Sequence, residues 1–307
     1  MGLFSKNYES AGVGISKYAP KKKGMALFFD IVGRKFWKLM QLNLIYMLFF
    51  LPLVMLLPVM TLFKNNYAVS VASMIIMIVI FMVLFGPATA GMTKVIRLFV
   101  INKHSFIVRD FFNGFKSNFK KAAVIGFIDC LIVFSAIAAL NVYPALAIQT
   151  QSKLMYIPMV ITFSLFLVII IMNHYIFLMM TATSLSFKNL LKNSLALAFV
   201  ALKQNLLTFI IALAVIAVMI LLMFYLFPVF LLLVPFFPAA FICLLNCFIS
   251  YPVIQKYVIN PYYTSIGEIN PELVDDTPTD EERIFEDMGG KEQPIEKRKK
   301  GKGKRIS

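Results

Sequence analysis

The chain has 307 residues, of which 60% are hydrophobic and only 15% are charged. Soluble domains carry about 25% charged residues, so this composition excludes an ordinary soluble protein. The formal net charge of +15 would suggest nucleic-acid binding in a soluble chain. Because Lys and Arg also accumulate on the cytoplasmic side of membrane proteins, we expect the lipid bilayer as the partner and no nucleic acid.

Long apolar runs predict an all-α integral membrane protein with six transmembrane helices, because a spanning helix needs about 20 apolar residues. The predicted spans are residues 39–62, 68–92, 122–146, 155–180, 206–226 and 229–251. The last two lie in one uncharged run that would exceed the hydrocarbon thickness about twofold as a single helix. A reversal near Pro228 is therefore expected to divide it, since proline lacks an amide donor.

The distribution of basic residues predicts the topology. Lys and Arg concentrate before the first span and in the segments that follow the second and fourth spans, whereas the opposite connections offer only Lys64 and Lys153. By the positive-inside rule, both termini are expected in the cytoplasm of a multi-pass plasma-membrane protein. The basic segments can also contact anionic lipid headgroups.

This topology divides the chain into three predicted parts. Residues 1–38 are expected to form a cytosolic basic leader with an interfacial helix, and residues 39–251 the six-span membrane domain. Residues 252–307 are expected to form a cytosolic, largely disordered tail, because an acidic stretch followed by a basic run has too little hydrophobicity to form a core.

A short pattern recurs before the first, third and fifth spans: an aromatic residue, a hydrophobe, a long polar residue and then Asn. The copies are Trp37-x2-Met40-Gln41-x-Asn43, Phe112-x2-Phe115-Lys116-x-Asn118 and Phe199-x2-Leu202-Lys203-x-Asn205. We predict three units, each a cytosolic amphipathic helix followed by a two-span helical hairpin, with Asn satisfying backbone groups at a bend. Aromatic and basic residues are also ordinary at membrane borders, which is the competing interpretation.

Asp129, Asn173 and His174 are the candidate intramembrane polar site. Asp129 lies near the start of the third span, and the other two lie near the end of the antiparallel fourth span. Since a charged side chain at the centre of a bilayer costs about 2.5–3.5 kcal/mol on insertion scales, Asp129 is expected to pair with His174 or Asn173. The pair is interpreted either as a strut between helices or as a transport site.

The end of the second span reads Gly86-Pro87-Ala88-Thr89-Ala90-Gly91. Small residues allow helices to approach closely, and Pro87 frees a carbonyl, so Gly86, Pro87 and Ala90 form a candidate kink and packing motif. A substrate site at a broken helix is the alternative. The sequence lacks the metalloprotease, nucleophile-elbow and phosphate-loop motifs, so we expect no enzyme, with no catalytic residue, cofactor or metal.

Several separated motifs occur together in the first half of the chain. They are Met1-Gly2-Leu3-Phe4, Arg34-Lys35-Phe36-Trp37-Lys38-Leu39 with Leu42-Asn43-Leu44, Gly86-Pro87-Ala88, and Asp110-Phe111-Phe112 followed by Phe115-Lys116-x-Asn118-Phe119. In this order they resemble the YesL-like family of bacterial integral membrane proteins. The family has no assigned function, and its genes often lie beside sugar ABC importers. The resemblance implies a non-enzymatic accessory role in carbohydrate uptake, with importer permease subunits as partners. A stand-alone small-molecule carrier with a polar site near Asp129 and His174 is the alternative.

Overall fold

The computed structural model describes residues 22–272, and every regular element in that range is helical. Residues 27–272 belong to one compact unit, and residues 22–26 are the described part of a second unit. The α-helices are α1 (Gly24–Leu48), α2 (Leu51–Val54), α3 (Leu56–Leu62), α4 (Tyr67–Val100), α5 (Ile107–Ser117), α6 (Phe119–Gln149), α7 (Tyr156–Ala182), α8 (Phe187–Val200), α9 (Leu202–Tyr225), α10 (Phe227–Leu233), α11 (Pro238–Ile254) and α12 (Asn260–Ser265). A 3₁₀ turn (Lys153–Met155) precedes α7, and a π-helical turn (Gln255–Ile259) joins α11 to α12.

Five helical stretches are long and apolar enough to cross a membrane, and the bent pair formed by α1 with α2–α3 would make a sixth. The five are α4, α6, α7 with its 3₁₀ turn, α9, and the run from α11 to α12. The predicted all-α fold with several membrane-length helices is therefore confirmed at this level.

The first predicted span is not one straight helix. Helix α1 begins at Gly24, passes through the predicted boundary at residue 38 without a break, and ends at Leu48. The axis then bends by 56° into α2–α3. Pro52 lies in the first turn of α2 and Pro58 lies in α3; because neither residue has an amide hydrogen, a continuous ladder through this segment would lack two bonds.

The last predicted span, residues 229–251, is also wrong in its bounds. Helix α9 ends at Tyr225, and the short α10 packs back against it, so the reversal near Pro228 is present. The chain breaks again at residues 234–237, and α11 begins at Pro238. Helical structure then continues to Ser265, so the predicted tail boundary at 251 falls too early; the rest of that tail, 273–307, and residues 1–21 of the leader lie outside the described residues.

Two of the three predicted amphipathic helices form separate elements. Helix α5 precedes α6, and α8 precedes α9, each with a break at the junction. The corresponding segment before the first span is instead continuous with it inside α1. Helix α4 likewise runs through Pro87 as one element.

Buried side chains gather at one end of the helical bundle. We call this the packed end; it comprises residues 86–99 of α4, 122–129 of α6, 175–180 of α7 and 240–254 of α11. The other end, residues 51–84, 131–172 and 209–238, is called the open end. Its buried residues are Val59, Ser70, Ala136 and Ala139.

Candidate functional site

Asp129 and Asn173 form a direct contact between α6 and α7. The Asn173 side-chain amide donates a 2.8 Å hydrogen bond to Asp129 Oδ1, and Asp129 is buried. The pairing of Asp129 with Asn173, one of the two predicted alternatives, is thus present. His174 takes no part in it, since its Nδ1 is buried with no hydrogen-bond partner among residues 22–272.

Helix α11 is also hydrogen-bonded to this region of α7. Asn246 donates from its side-chain amide to the backbone oxygen of His174 at 3.2 Å, and Ser250 donates to Asn246 Oδ1 at 3.0 Å. Interhelical hydrogen bonds of this kind hold membrane helices together where burial of apolar surface gives little driving force. The polar residues therefore connect neighbouring helices.

Asn43 stabilises the break between α10 and α11. Its side-chain amide donates to the carbonyl oxygens of Val234 at 3.0 Å and Pro235 at 2.8 Å. Its Oδ1 accepts from the amide of Ala240 at 2.8 Å, which lies in the first turn of α11, where amides have no partner inside the helix. One fully buried Asn side chain thus satisfies three backbone groups at an interruption far away in the sequence.

Asn205 and Asn118 lie at the junctions that open α9 and α6. Asn205 donates to the carbonyl oxygen of Ala198 at 2.9 Å, near the end of α8, and accepts a hydrogen bond from the Tyr175 hydroxyl. Asn118 donates to the carbonyl oxygen of Gly114 at 3.2 Å, near the end of α5. These are carbonyls that a helix C-terminus leaves without an internal partner, so every Asn of the repeat serves a helix break.

The aromatic residue of each repeat is exposed, in contrast to the Asn residues, which bond to backbone groups of the protein. Trp37 is 73% exposed, Phe112 is 40% exposed and Phe199 is 60% exposed. The repeat therefore has two sides: an Asn that holds the fold from within, and an aromatic ring presented on the surface.

Gly86 forms the closest helix–helix contact around the small-residue motif. A Cβ atom at Gly86 would lie 1.8 Å from the carbonyl oxygen of Ala122, and one at Gly126 would lie 2.4 Å from the amide nitrogen of Gly86. Pro87 and Ala90 are both buried. The motif therefore brings the backbones of α4 and α6 together.

Sequence reasoning missed a polar cluster at the end of α4. Arg97 forms an ion pair of 2.9 Å with Glu272 and donates to the Tyr251 hydroxyl at 3.1 Å. In the sequence, Arg97 is one of the basic residues that follow the second predicted span, and Glu272 falls in the predicted tail, residues 252–307. A partner for Arg97 could have been predicted from the sequence. Arg97 lies seven residues after Ala90 and therefore shares the small-residue face of the helix, and an arginine on a packing face needs an anionic partner.

Two clefts lie against α9 and α11. The first, of about 320 Å³, is lined by Val200, Ala201, Gln204, Ile249, Pro252, Val253, Lys256 and Tyr257. The second, of about 300 Å³, has an apolar lining at the open end. Neither is lined by Asp129 or His174. Within residues 22–272, no three His, Cys, Asp or Glu side chains are close enough together to hold a metal ion.

A family model described as "Protein of unknown function, DUF624" matches residues 39–142. No curated protein and no solved structure matches the chain. The matched segment contains Asn43, the small-residue motif of α4, Asn118 and Asp129. DUF624 is the YesL-like family of bacterial membrane proteins, so the resemblance seen in the sequence motifs is confirmed over residues 39–142.

Proposed function

We propose that the protein is a non-enzymatic accessory partner of an ABC-type carbohydrate importer in the plasma membrane. The observation that carries the proposal is the two-sided repeat: buried Asn side chains are used in the fold, whereas the aromatic rings beside them remain on the surface. Exposed aromatic residues are the commonest anchors of protein interfaces.

The proposed topology is three hairpins with both termini in the cytoplasm. Consecutive helices pack as hairpins require: α3 against α4, α6 against α7, and α9 against α10 and α11. The basic residues near the end of α4 and at the starts of α6 and α8 lie beside the packed end, whereas Lys64 and Lys153 lie beside the open end. The positive-inside rule favours a cytoplasmic packed end, with α5 and α8 as cytosolic amphipathic helices.

In this topology Trp37, Phe112 and Phe199 all lie at the cytoplasmic face. Each is followed within four residues by an exposed Gln41, Lys116 or Lys203. Exposed aromatic rings with long polar side chains nearby in the sequence match the composition of protein interfaces, in which aromatic residues are enriched at the centre and polar residues form the rim. We infer that permease subunits of the importer dock on it.

The hydrogen bonding of the intramembrane polar residues favours an accessory role over transport. Asn43, Asn173, Asn205 and Asn246 each donate to another part of the protein. Side chains committed in this way support helix packing, whereas a carrier presents polar groups to a substrate near the midplane.

One observation supports the second candidate function, a stand-alone small-molecule carrier. His174 Nδ1 and Asn173 Oδ1 are both buried without a hydrogen-bond partner in the described range. An unsatisfied buried polar atom calls for an explanation, and a bound ligand or water is one. Asn173 Oδ1 belongs to the side-chain amide that donates to Asp129, so a substrate of a carrier would bind there.

Affinity capture from native membranes tests the accessory role. The tagged wild-type chain is expected to recover importer permease subunits, and the triple variant Trp37→Ala, Phe112→Ala, Phe199→Ala is expected to lose them. Removing one anchor of about 2 kcal/mol lowers affinity by about 30-fold. The matched control is Tyr67→Ala, Phe134→Ala, Phe224→Ala, which removes three exposed rings from the open end and should leave capture unchanged.

Equal capture by both variants, or no permease with the wild-type chain, contradicts the proposed docking surface. The carrier is tested separately in liposomes that contain this chain alone. Uptake of a labelled sugar that is abolished by Asp129→Asn would favour the carrier over the accessory partner.

A further inference from the structure

Three donors from two neighbouring helical segments converge on one carboxylate. Arg97 of α4 donates from Nη1 to Glu272 Oε1 at 2.9 Å. The Tyr251 hydroxyl of α11 and Gln255 Nε2 of the π-helical turn both donate to Glu272 Oε2, the latter at 3.3 Å. We propose that Arg97, Tyr251 and Gln255 form a carboxylate-binding site in which Glu272 is a tethered, exchangeable occupant.

The site is built without the segment that carries Glu272. Helices α4 and α11 pack directly against each other, and the Arg97 guanidinium lies over the Tyr251 ring at 5.8 Å while Nη1 donates to its hydroxyl. These contacts hold the donors in place when Glu272 leaves. Arg97 Nε is buried and has no hydrogen-bond partner within residues 22–272, so the guanidinium retains an unused donor.

The occupant arrives on a short segment outside any helix. After α12 ends at Ser265, the chain is fastened by Asn270, whose amide donates to Asn260 Oδ1 at 2.9 Å. The amide of Glu272 donates to Asn270 Oδ1 at 3.0 Å. Because Asn270 anchors the backbone, Glu272 can leave the site by turning its side chain away.

The site is open to an anion from solution. The Arg97 side chain is 14% exposed and that of Glu272 is 18% exposed, so water reaches both partners of the ion pair. A group on a short flexible tether has an effective concentration in the mM range. A free carboxylate therefore competes with Glu272 only at mM concentrations or above.

The chemistry of the donors selects a carboxylate. The site offers one positive charge, one hydroxyl and one amide, and in the structure these satisfy the two oxygens of a singly charged group. Charge-assisted bonds from Arg to a carboxylate are the strong members of such a set. When an external carboxylate takes the place of Glu272, residues 266–272 lose one of their attachments to the helices and are held more loosely.

Chemical rescue tests the site in the full-length protein in detergent. Glu272→Ala is expected to lower the melting temperature, and sodium acetate is expected to restore at least half of the loss. The acetate is used at about 10–100 mM, at or above the effective concentration of a tethered group. Sodium chloride at the same concentration should restore nothing. The matched control is Glu268→Ala, which removes an exposed carboxylate of the same segment and should neither destabilise the protein nor respond to acetate.

Two further measurements make the outcome decisive. In the double variant Arg97→Gln, Glu272→Ala, acetate should have no effect. In the wild-type protein, the same acetate should speed amide hydrogen exchange in residues 266–272 relative to chloride, which tests exchange without any substitution. The site is disproved if Glu272→Ala melts like the wild type, or if acetate and chloride act equally. It is also disproved if rescue survives the loss of Arg97, or if exchange in 266–272 does not respond.

Discussion

The packed end and the open end of the bundle differ in the residues that they contain. The packed end holds glycines and alanines at helix contacts, together with Asp129 and Asn246 in hydrogen bonds between elements. Asn173 and Asn205 lie outside the ranges that define it and bond to its residues Asp129 and Tyr175. The open end consists of exposed Leu, Ile, Val and Phe side chains. Hydrogen bonds and close backbone approach are specific in their geometry, whereas an exposed aliphatic surface is not. The packed end therefore specifies how the helices are arranged.

The difference follows from the solvent. In lipid, burying a leucine between helices gains little, since the acyl chains are as apolar as the protein. Helices associate where backbones approach closely enough for dense packing or where polar groups meet. Gly86 and Gly126 allow the close backbone approach, and the Asn residues provide the polar contacts. Substitutions at the two ends should therefore differ strongly in cost.

The largest expected effect is at Gly86. A methyl group there would lie 1.8 Å from the backbone oxygen of Ala122, so Gly86→Ala must push α4 and α6 apart. The loss in unfolding free energy should reach or exceed the upper end of the about 1–3 kcal/mol that overpacking ordinarily costs. Thermal unfolding monitored by size-exclusion chromatography in detergent measures it.

Gly33→Ala is the matched control for Gly86→Ala. Gly33 lies inside α1, and no atom is within 4 Å of its added Cβ. The same substitution there should stabilise the helix by up to about 1 kcal/mol, because alanine is the better helix former. If both variants melt alike, the close contact of α4 with α6 does not stabilise the packed end.

The next effect in size is at Asn43. Asn43→Leu leaves the amide of Ala240 and the carbonyl oxygens of Val234 and Pro235 without their side-chain partner. Each buried unsatisfied group costs about 1–3 kcal/mol, although local rearrangement recovers part of it. Asn141→Leu removes an exposed Asn that bonds only within its own helix and should cost much less. Equal melting temperatures would show that the break before α11 does not depend on Asn43.

The composition of the chain made the membrane class, the approximate positions of the spans and the contact of Asp129 with Asn173 predictable. Long apolar runs have one structural solution in lipid, and a carboxylate inside one of them must find a neighbour. The Asn residues of the repeat were expected at bends, and hydrogen bonds place all three at helix breaks.

What escaped prediction depends on contacts between distant parts of the chain. Asn43 was expected to serve a bend of its own unit, yet it serves one almost two hundred residues away. Glu272 was assigned to a tail because its neighbours are charged, but its carboxylate is bound by Arg97 and Tyr251. Local composition carries no information on such pairings. The break before α2 could have been predicted, because Pro52 lacks the amide hydrogen that a continuous helix would need there.

A smaller effect is expected at Asp129, where the unfolding free energies of two variants test whether the residue acts as a hydrogen-bonded strut between helices. Asp129→Leu removes the acceptor of Asn173 and should cost about 0.6 kcal/mol and at most about 1.7 kcal/mol, the average and the maximum measured for hydrogen bonds between membrane helices. Asp129→Asn keeps an acceptor of the same shape and should cost less. Unfolding of both variants in bicelles checks the order. If Asp129→Asn is destabilised as much as Asp129→Leu or more, the hydrogen bond from Asn173 does not stabilise the fold and the strut is contradicted.

The smallest effect is expected at Phe134 of the open end, which is 70% exposed. Phe134→Ala should change the unfolding free energy by less than about 0.5 kcal/mol, as for surface positions generally, because lipid replaces the ring. Phe99→Ala removes a fully buried ring at the packed end and should cost clearly more in the same bicelles, since the cavity it leaves lies inside the protein.

The comparison of Phe134→Ala with Phe99→Ala becomes more informative in native membranes. A cost at Phe134 that appears there and vanishes in bicelles would mean that protein, not lipid, covers the open end in the cell. In that case the importer would contact the protein through its spans as well as through the cytoplasmic aromatic residues.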